Sequence, residues 1–514
     1  MSGARAAPIE RAAGALLHLT SLPGAGGCGD LGPGARTFIE WLGRAGLSWW
    51  QTLPVGPTGK GFSPYAPRSS FAGGTHLVSL DLLAQGGWLT RDEAESRRSK
   101  NHPSVDLPAL RRRRGLVGRA AERFLARARR GDRARYARFC AANADWLDDV
   151  ALFEALAHAE GTADWTRWPD EVRRRRRGAL RRAANELADH VARHRVAQFF
   201  FQEQWRALRR RGAGAGVRLM GDLPFYPALE SADVWANQRL FDLDERGRPR
   251  AVAGVGPDYF SRTGQVWESP LYLWRAHERD GFAWWVARVR RAGALFDAVR
   301  LDHFIGFDRS WAVPPRARSA ARGSWRGAPG AEILRTVTRR VRGIDLIAED
   351  LGVLTPEAAR LRDAHAMPGM RVLQFGFTSD AHNPHTPHAH VPRSVVYTGT
   401  HDNDTTRGWA ESLARSKAGR CAQERACAYL GSTAPGLPDA MVRAAFTSVA
   451  RTAIIPVQDA LRLGSGARMN RPGTSRNNWR WRLGSMATLD RAAERVRELV
   501  NLSGREPRKK NARR

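Results

Sequence analysis

The sequence of 514 residues predicts an α/β fold, a (β/α)8 barrel of the TIM type that carries helical and loop-rich inserted subdomains. Short apolar segments ending in polar residues recur eight times along the chain. Long stretches with helical periodicity separate them, the pattern of parallel strands joined by helices. Carboxyl-bearing residues close several of these segments, and the C-terminal strand ends are where such a barrel keeps its reacting groups.

In chain order the predicted strands are Ala15–Leu19, Trp49–Leu53, Val217–Leu223, Ala298–Asp302, Leu346–Asp350, Val372–Phe377, Val395–Thr398 and Ala453–Gln458. Two intervals exceed a helical crossover and are read as insertions into one catalytic domain over residues 1–490. The first, about 80–216, reads as helices: Asp145–Leu156 and Val196–Leu208 space apolar residues by three and four. The second, about 225–294, is rich in Gly, Pro, Asp and aromatic residues and suits a loop-built subdomain over the barrel mouth. Residues 503–514 read as a basic, disordered tail.

No apolar run reaches the roughly 20 residues of a membrane helix, and the first residues lack a signal core, so the sequence places the protein in the cytoplasm. Four cysteines, Cys28, Cys140, Cys421 and Cys427, have no metal-ligand spacing and fit a reducing compartment. The net charge of +32 raises the question of nucleic acid. Its runs, Arg111–Arg114, Arg173–Arg177, Arg209–Arg211 and the tail, lie mostly in or beside the helical insertion and read as solvated helix faces. No helix-turn-helix, zinc-finger or RNA-binding signature accompanies them.

Asp302 follows Val299-Arg300-Leu301, so Arg300 and Asp302 point to the same side past a buried Leu301. A guanidinium beside a carboxylate lowers its pKa, which suits a nucleophile; a structural Arg-Asp pair is the plainer alternative. Glu349 closes Ile347-Ala348, where partial desolvation raises a carboxyl pKa and lets it hold a proton for a leaving oxygen. The cap of the helix after it is better assigned to Thr355, with Pro356 at the first turn. The seventh segment runs into Thr398-Gly399-Thr400-His401-Asp402-Asn403-Asp404. Three carboxyl groups from separate strands thus reach one rim, enough for nucleophile, acid/base and a group that binds sugar hydroxyls.

Aromatic residues among Gly and Pro, as in Gly61-Phe62-Ser63-Pro64-Tyr65 and Pro257-Asp258-Tyr259-Phe260 through Trp267, make poor core elements and good stacking surfaces for sugars. Phosphate-loop, dinucleotide, nucleophile-elbow and zinc-protease motifs are absent from the sequence. A loose histidine group, His382, His385, His388 and His390, has one acidic neighbour, Asp380, and is not read as a metal site.

The residues from about Arg11 to Leu483 resemble the 4-alpha-glucanotransferases known as amylomaltases or disproportionating enzymes, glycoside hydrolase family 77. The resemblance rests on Leu16-Leu17-His18-Leu19-Thr20-Ser21-Leu22-Pro23, Leu53-Pro54-Val55-Gly56-Pro57-Thr58-Gly59, Gly221-Asp222-Leu223-Pro224, Ser231-Ala232-Asp233-Val234-Trp235-Ala236-Asn237, Pro368-Gly369-Met370-Arg371-Val372-Leu373-Gln374-Phe375 and Ala467-Arg468-Met469-Asn470-Arg471-Pro472-Gly473-Thr474. It implies Asp302 as nucleophile, Glu349 as acid/base and Asp402 as the third carboxylate in a retaining double displacement on α-1,4-glucans and maltooligosaccharides. Sugar binding would fall to Ser63, Tyr65, Asp222, Arg300, His303, His401 and Asn470, and a covering loop would carry Tyr259, Phe260 and Trp267. The resemblance also implies no metal, no organic cofactor and no separate C-terminal β-domain.

The chain departs from the family pattern at four places. Ile305 stands where Arg is frequent, Gly256 replaces a Pro, Glu268-Ser269 replaces Gly-Asn, and Gly74 replaces an Asn. These departures bear on acceptor preference rather than on the carboxylates. An α-glucan hydrolase on the same barrel is the nearest rival reading, and a glucan- or nucleic-acid-binding protein is the rival from another class.

Overall fold

The computed structural model describes residues 11–24, 26–95, 102–257, 263–352, 354–378, 381–474 and 476–507. Its strands are β1 (Ala12–Leu16), β2 (Trp49–Gln51), β3 (Arg218–Leu223), β4 (Val252–Val255), β5 (Gln265–Pro270), β6 (Ala298–Leu301), β7 (Arg309–Val313), β8 (Ser324–Gly327), β9 (Asp345–Ala348), β10 (Gly369–Val372), β11 (Ser394–Tyr397) and β12 (Thr452–Pro456). Eight of them form one sheet in the order β10-β11-β12-β1-β2-β3-β6-β9, parallel throughout.

The two edges of that sheet meet. The Ala348 N–H donates to the Pro368 carbonyl at 2.9 Å, and the Asp350 carboxylate accepts from the Met370 N–H at 2.6 Å. The Asp350 side chain thus supplies a bond that a ladder would otherwise provide. It packs so closely on Gly369 that a Cβ there would overlap its carboxylate, which accounts for the glycine at that position.

Inside the barrel, side chains alternate with period two. Met220 of β3, Ala298 of β6 and Ile347 of β9 belong to an apolar interior cluster with Met370, Val395 and Ile454. Two residues further along the same strands come Asp222, Arg300 and Glu349, so the barrel is apolar below and polar at its upper end. The intervening Val299, Leu301 and Ala348 pack into the outer core.

Two predicted strands are displaced. The first begins at Ala12 rather than Ala15, because small residues in Ala-Ala-Gly-Ala-Leu lower β propensity while the packing demands them: a Cβ on Gly14 would lie 2.5 Å from that of Trp49. The sixth ends at Val372, where the predicted strand began, since Leu373–Phe375 turns into a 3-10 helix. The helix after β9 starts as predicted, with the Thr355 hydroxyl accepting from the Ala358 N–H.

The interval before β3 holds the helices Leu107–Arg127, Arg130–Ala142, Ala144–Ala159, Arg177–Glu186 and Ala188–Gly214. Phe199, Phe200, Phe201 and Trp205 of the last are buried. The loop-rich interval is more ordered than its composition indicates. Its β4 and β5 join β7 and β8 in an antiparallel sheet of order β5-β4-β7-β8, and β7 and β8 come from a further excursion after β6 that the sequence reading did not single out.

The tail expectation is corrected for residues 503–507. Arg505 is 0% exposed and donates to the carbonyls of Phe446, Ala12, Arg451, Ser448 and Ala450 at 2.6–3.0 Å. Five oriented backbone dipoles replace the water a guanidinium would lose. Residues 508–514 lie outside the described residues. The basic runs are not uniformly solvated either: Arg113 is buried against Asp30, and Arg175 lies 4.3 Å from the Trp235 ring centroid.

Candidate active site

At the C-terminal ends of the barrel strands a cleft of about 1200 Å³ opens, lined among others by Asp302, Glu349 and Asp402. Asp302 follows β6. Its Oδ1 accepts from Arg300 Nη2 at 2.6 Å, while Arg300 Nε donates to Asp222 Oδ2 at 2.8 Å. Tyr65, from the loop after β2, donates its hydroxyl to the same Asp222 oxygen at 2.8 Å. The guanidinium is thereby held between two carboxylates and aimed at Asp302.

Glu349 follows β9, whose Ala348 pairs in register with Leu301 of β6. Both its oxygens accept backbone N–H bonds, Oε2 from His303 at 2.8 Å and Oε1 from Leu351 at 3.1 Å. His303 makes the first bond from a left-handed backbone, φ +50. No cation is hydrogen-bonded to this carboxyl among the described residues, and each oxygen keeps a second lone pair.

Burial, the largest influence on both groups, pushes Glu349 up to about 8 and Asp302 up to about 7. The expectation that Arg300 would hold Asp302 low is corrected in its net sign: the guanidinium does act downward, but burial and the nearby Asp222 and Asp402 act upward. The contrast between the two carboxyls survives. Arg300 is hydrogen-bonded to Asp302 and not to Glu349, although its charge acts downward on both.

Asp402 sits past β11. Asn470 Nδ2 donates to its Oδ1 at 2.6 Å, and Arg468 donates to its backbone carbonyl at 2.6 Å and to that of Asn470 at 2.7 Å. His401 Nε2 lies 3.5 Å from Asp402 Oδ2, and burial lowers the His401 pKa, which favours the neutral ring. The Tyr65 ring stacks on His401 with centroids 5.1 Å apart and an angle of 13°.

His303 and Trp267 meet edge to face, centroids 4.8 Å apart, and burial lowers His303 to about 4. Ser63, Tyr65, Arg300, His303, His401, Asn470 and Trp267 all line the cleft. Asp222 does not: its side chain is 0% exposed and lies beneath Tyr65 and Arg300, so it is placed to position them. Tyr259 and Phe260 lie outside the described residues.

Several residues at the site were not singled out in the sequence. Arg468 braces Asp402 and Asn470, Trp479 tilts against Tyr65 at 5.5 Å, and Trp325, 46% exposed on β8, lines the cleft. Arg468 lay within a quoted motif; Trp325 carried no local signal, because nothing in its neighbours announces an edge strand beside the barrel mouth. Among the described residues no three His, Cys, Asp or Glu form a group that could hold a metal ion. His385, His388 and His390 spend ring nitrogens on Val372, Tyr429 and Ser448.

Comparison with known proteins agrees with this geometry. The family profile described as 4-alpha-glucanotransferase matches residues 17–487. The chain is 44% identical to the 4-alpha-glucanotransferase of Thermus thermophilus over 481 residues, covering 92% of this chain and 95% of that protein. It is 42% identical to the chloroplastic/amyloplastic 4-alpha-glucanotransferase of Solanum tuberosum, covering 96% and 87%. Among solved structures, the amylomaltase from Streptococcus agalactiae in complex with acarbose superposes with a TM-score of 0.91 at 32% identity, covering 97% of this chain and 100% of that one.

Proposed function

The chain belongs to the 4-alpha-glucanotransferase family, glycoside hydrolase family 77, and is a 4-alpha-glucanotransferase; from that premise we propose the parts its residues play. Asp302 attacks the anomeric carbon of an α-1,4-glucan donor while Glu349 gives its proton to the departing 4-oxygen. The C–O bond to the leaving fragment breaks as the bond to Asp302 forms, leaving a β-linked glucosyl enzyme. The 4-hydroxyl of an acceptor glucose or maltooligosaccharide then attacks the same carbon, the bond to Asp302 breaks to release its carboxylate, and the hydroxyl proton returns to Glu349. Two inversions give net retention.

The observation that carries this reading is the opposite surroundings of the two carboxyls: a guanidinium at 2.6 Å on Asp302, backbone N–H groups alone on Glu349. Asp402, braced by Asn470, is the third carboxylate, which binds sugar hydroxyls more tightly as positive charge develops at the anomeric carbon. Arg300, His401, Tyr65 and Ser63 line the same cleft and supply donors and a stacking surface. His303 and Trp267 form the adjoining wall.

Maltotriose is the discriminating substrate. Incubation should yield glucose and a ladder of longer maltooligosaccharides; reducing ends that rise with no product longer than the substrate would establish a hydrolase instead. No described helix is long and apolar enough to cross a membrane. The four cysteines are unpaired, which supports a reducing, cytoplasmic setting. Several basic side chains serve the fold, as Arg505 does, which supports a glucan rather than a nucleic-acid partner. Binding to duplex DNA should therefore be weak and be lost as salt rises to about 0.3 M.

A further inference from the structure

Lys60 and Glu268 face each other at the cleft. Lys60 belongs to the turn Lys60–Phe62 that leads into Ser63 and Tyr65, and Glu268 follows Trp267 in β5. Both line the cleft, and Lys60 Nζ lies 2.9 Å from Glu268 Oε2. One partner is thus tied through Tyr65 to Asp222, the other through Trp267 to His303. The ion pair joins a barrel loop to the antiparallel sheet at the wall of the cleft.

The backbone at Glu268 makes this contact purposeful. Its φ is +60, a conformation glycine adopts freely and other residues adopt at a cost. This is one of the positions where the chain departs from the Gly-Asn of the family pattern. A strained residue facing a cleft, whose side chain spends its reach on an exposed pair worth little to stability, is better explained by what the pair does to the cleft. Lysine also suits a contact that must open. It carries a point charge on a flexible stem and lacks the bidentate grip of arginine, in a chain whose five lysines are far outnumbered by arginines.

We propose that the Lys60–Glu268 pair is a latch across the cleft that selects against long glucan chains. Short maltooligosaccharides lie within the cleft with the latch closed; a chain that runs out between the barrel loop and β5 must first part the two charges. The inference rests on the glucan-binding reading of the cleft given above. Breaking an exposed pair limits the effect to about three- to fivefold in kcat/KM.

The test compares maltotriose with a long linear amylose as donor, for the unaltered enzyme, Glu268→Gln, Lys60→Met and the charge-swapped double variant Lys60→Glu with Glu268→Lys. Lys60→Met is needed because Glu230 also acts on the Lys60 charge and could hold it when Glu268 is neutral. Each single variant should raise kcat/KM on amylose about three- to fivefold, change that on maltotriose less than twofold, and lose the response to 0.5 M NaCl that the unaltered enzyme shows on amylose. The swap should restore discrimination. Equal changes on both donors, or no change on amylose, would overturn the latch. An unaltered enzyme that forms no longer oligosaccharides from maltotriose would instead overturn the transfer reading beneath it. Glu268→Gly, which removes both charge and strain, should discriminate like Glu268→Gln and melt about 1–2 °C higher; a lower melting temperature would contradict the strain.

Discussion

Asp302 and Glu349 end adjacent strands in matching register, yet their neighbours differ in kind. Beyond β6, Arg300, Asp222 and Tyr65 form a chain of charged and hydroxyl contacts that ends on the Asp302 carboxylate. Beyond β9, the Glu349 carboxyl meets only the N–H groups of His303 and Leu351. Burial raises both groups, so burial alone does not divide their labour. Direct contact does: Arg300 acts downward on both carboxyls but is bonded to Asp302 alone, while Glu349 is oriented by backbone N–H groups, that of Leu351 acting downward too.

The comparison breaks most completely at Asp302, the proposed nucleophile. Asp302→Asn should lower transfer about 10⁴-fold or more with every donor, and intact-protein mass should show no glycosyl adduct even with α-maltosyl fluoride. Glu349→Gln should be nearly as inactive on maltotriose but should accumulate an adduct with the fluoride, whose leaving group needs no proton. An adduct on the first variant and not the second would exchange the two assignments.

Arg300→Met should cost about 10²- to 10³-fold, since it leaves Asp302 and Asp222 without their shared cation. Its sharper reading is the pH profile. In the unaltered enzyme kcat/KM should be bell-shaped, with apparent pKa values that belong to the pair. Above about 8 Glu349 loses the proton the leaving oxygen requires, so the rate falls as pH rises. On the acid side Asp302 gains a proton and the rate falls as pH drops. Removing Arg300 removes a downward influence on both carboxyls, but for Asp302 it removes a direct hydrogen bond as well, so both limbs should move to higher pH and the acid limb should move further. The smallest effect belongs to Asn470→Ala. It frees Asp402 from one short bond and should cost about tenfold in kcat, with little change in either limb.

Much of this site was legible because period two is a strong constraint. Once Leu301 is placed in the core, Arg300 and Asp302 must share a side, and they do. The relation of Asp222 to the cleft was not legible: nothing in Gly221-Asp222-Leu223 says that Tyr65 and Arg300 will cover the carboxylate rather than a sugar. Local propensity misled at β1, where Ala and Gly are wanted for closeness to Trp49, and at Arg505, whose polar sequence context hides five backbone carbonyls lying hundreds of residues upstream or dozens away. β7 and β8 escaped notice for a related reason. Short edge strands owe their form to partners, and Ser324–Gly327 is exposed along its whole length. Part of the arginine excess is explained by the same long-range bonding, since Arg288 and Arg482 also donate to backbone carbonyls of distant loops.

The staple made by Arg505 has a consequence in time. Its bond to the Ala12 carbonyl spans 493 residues of chain, and β1 finds one of its two partners only when Thr452–Pro456 exists. At ribosomal speeds of about 5–20 residues per second, the first strand waits roughly 25–100 s for the segments that flank and pin it. During that interval a nascent chain holds an apolar strand with an open hydrogen-bonding edge, the surface most prone to pair with a neighbour. Yield of soluble protein should therefore depend on β12 and the segment that carries Arg505 more than on any strand in the middle.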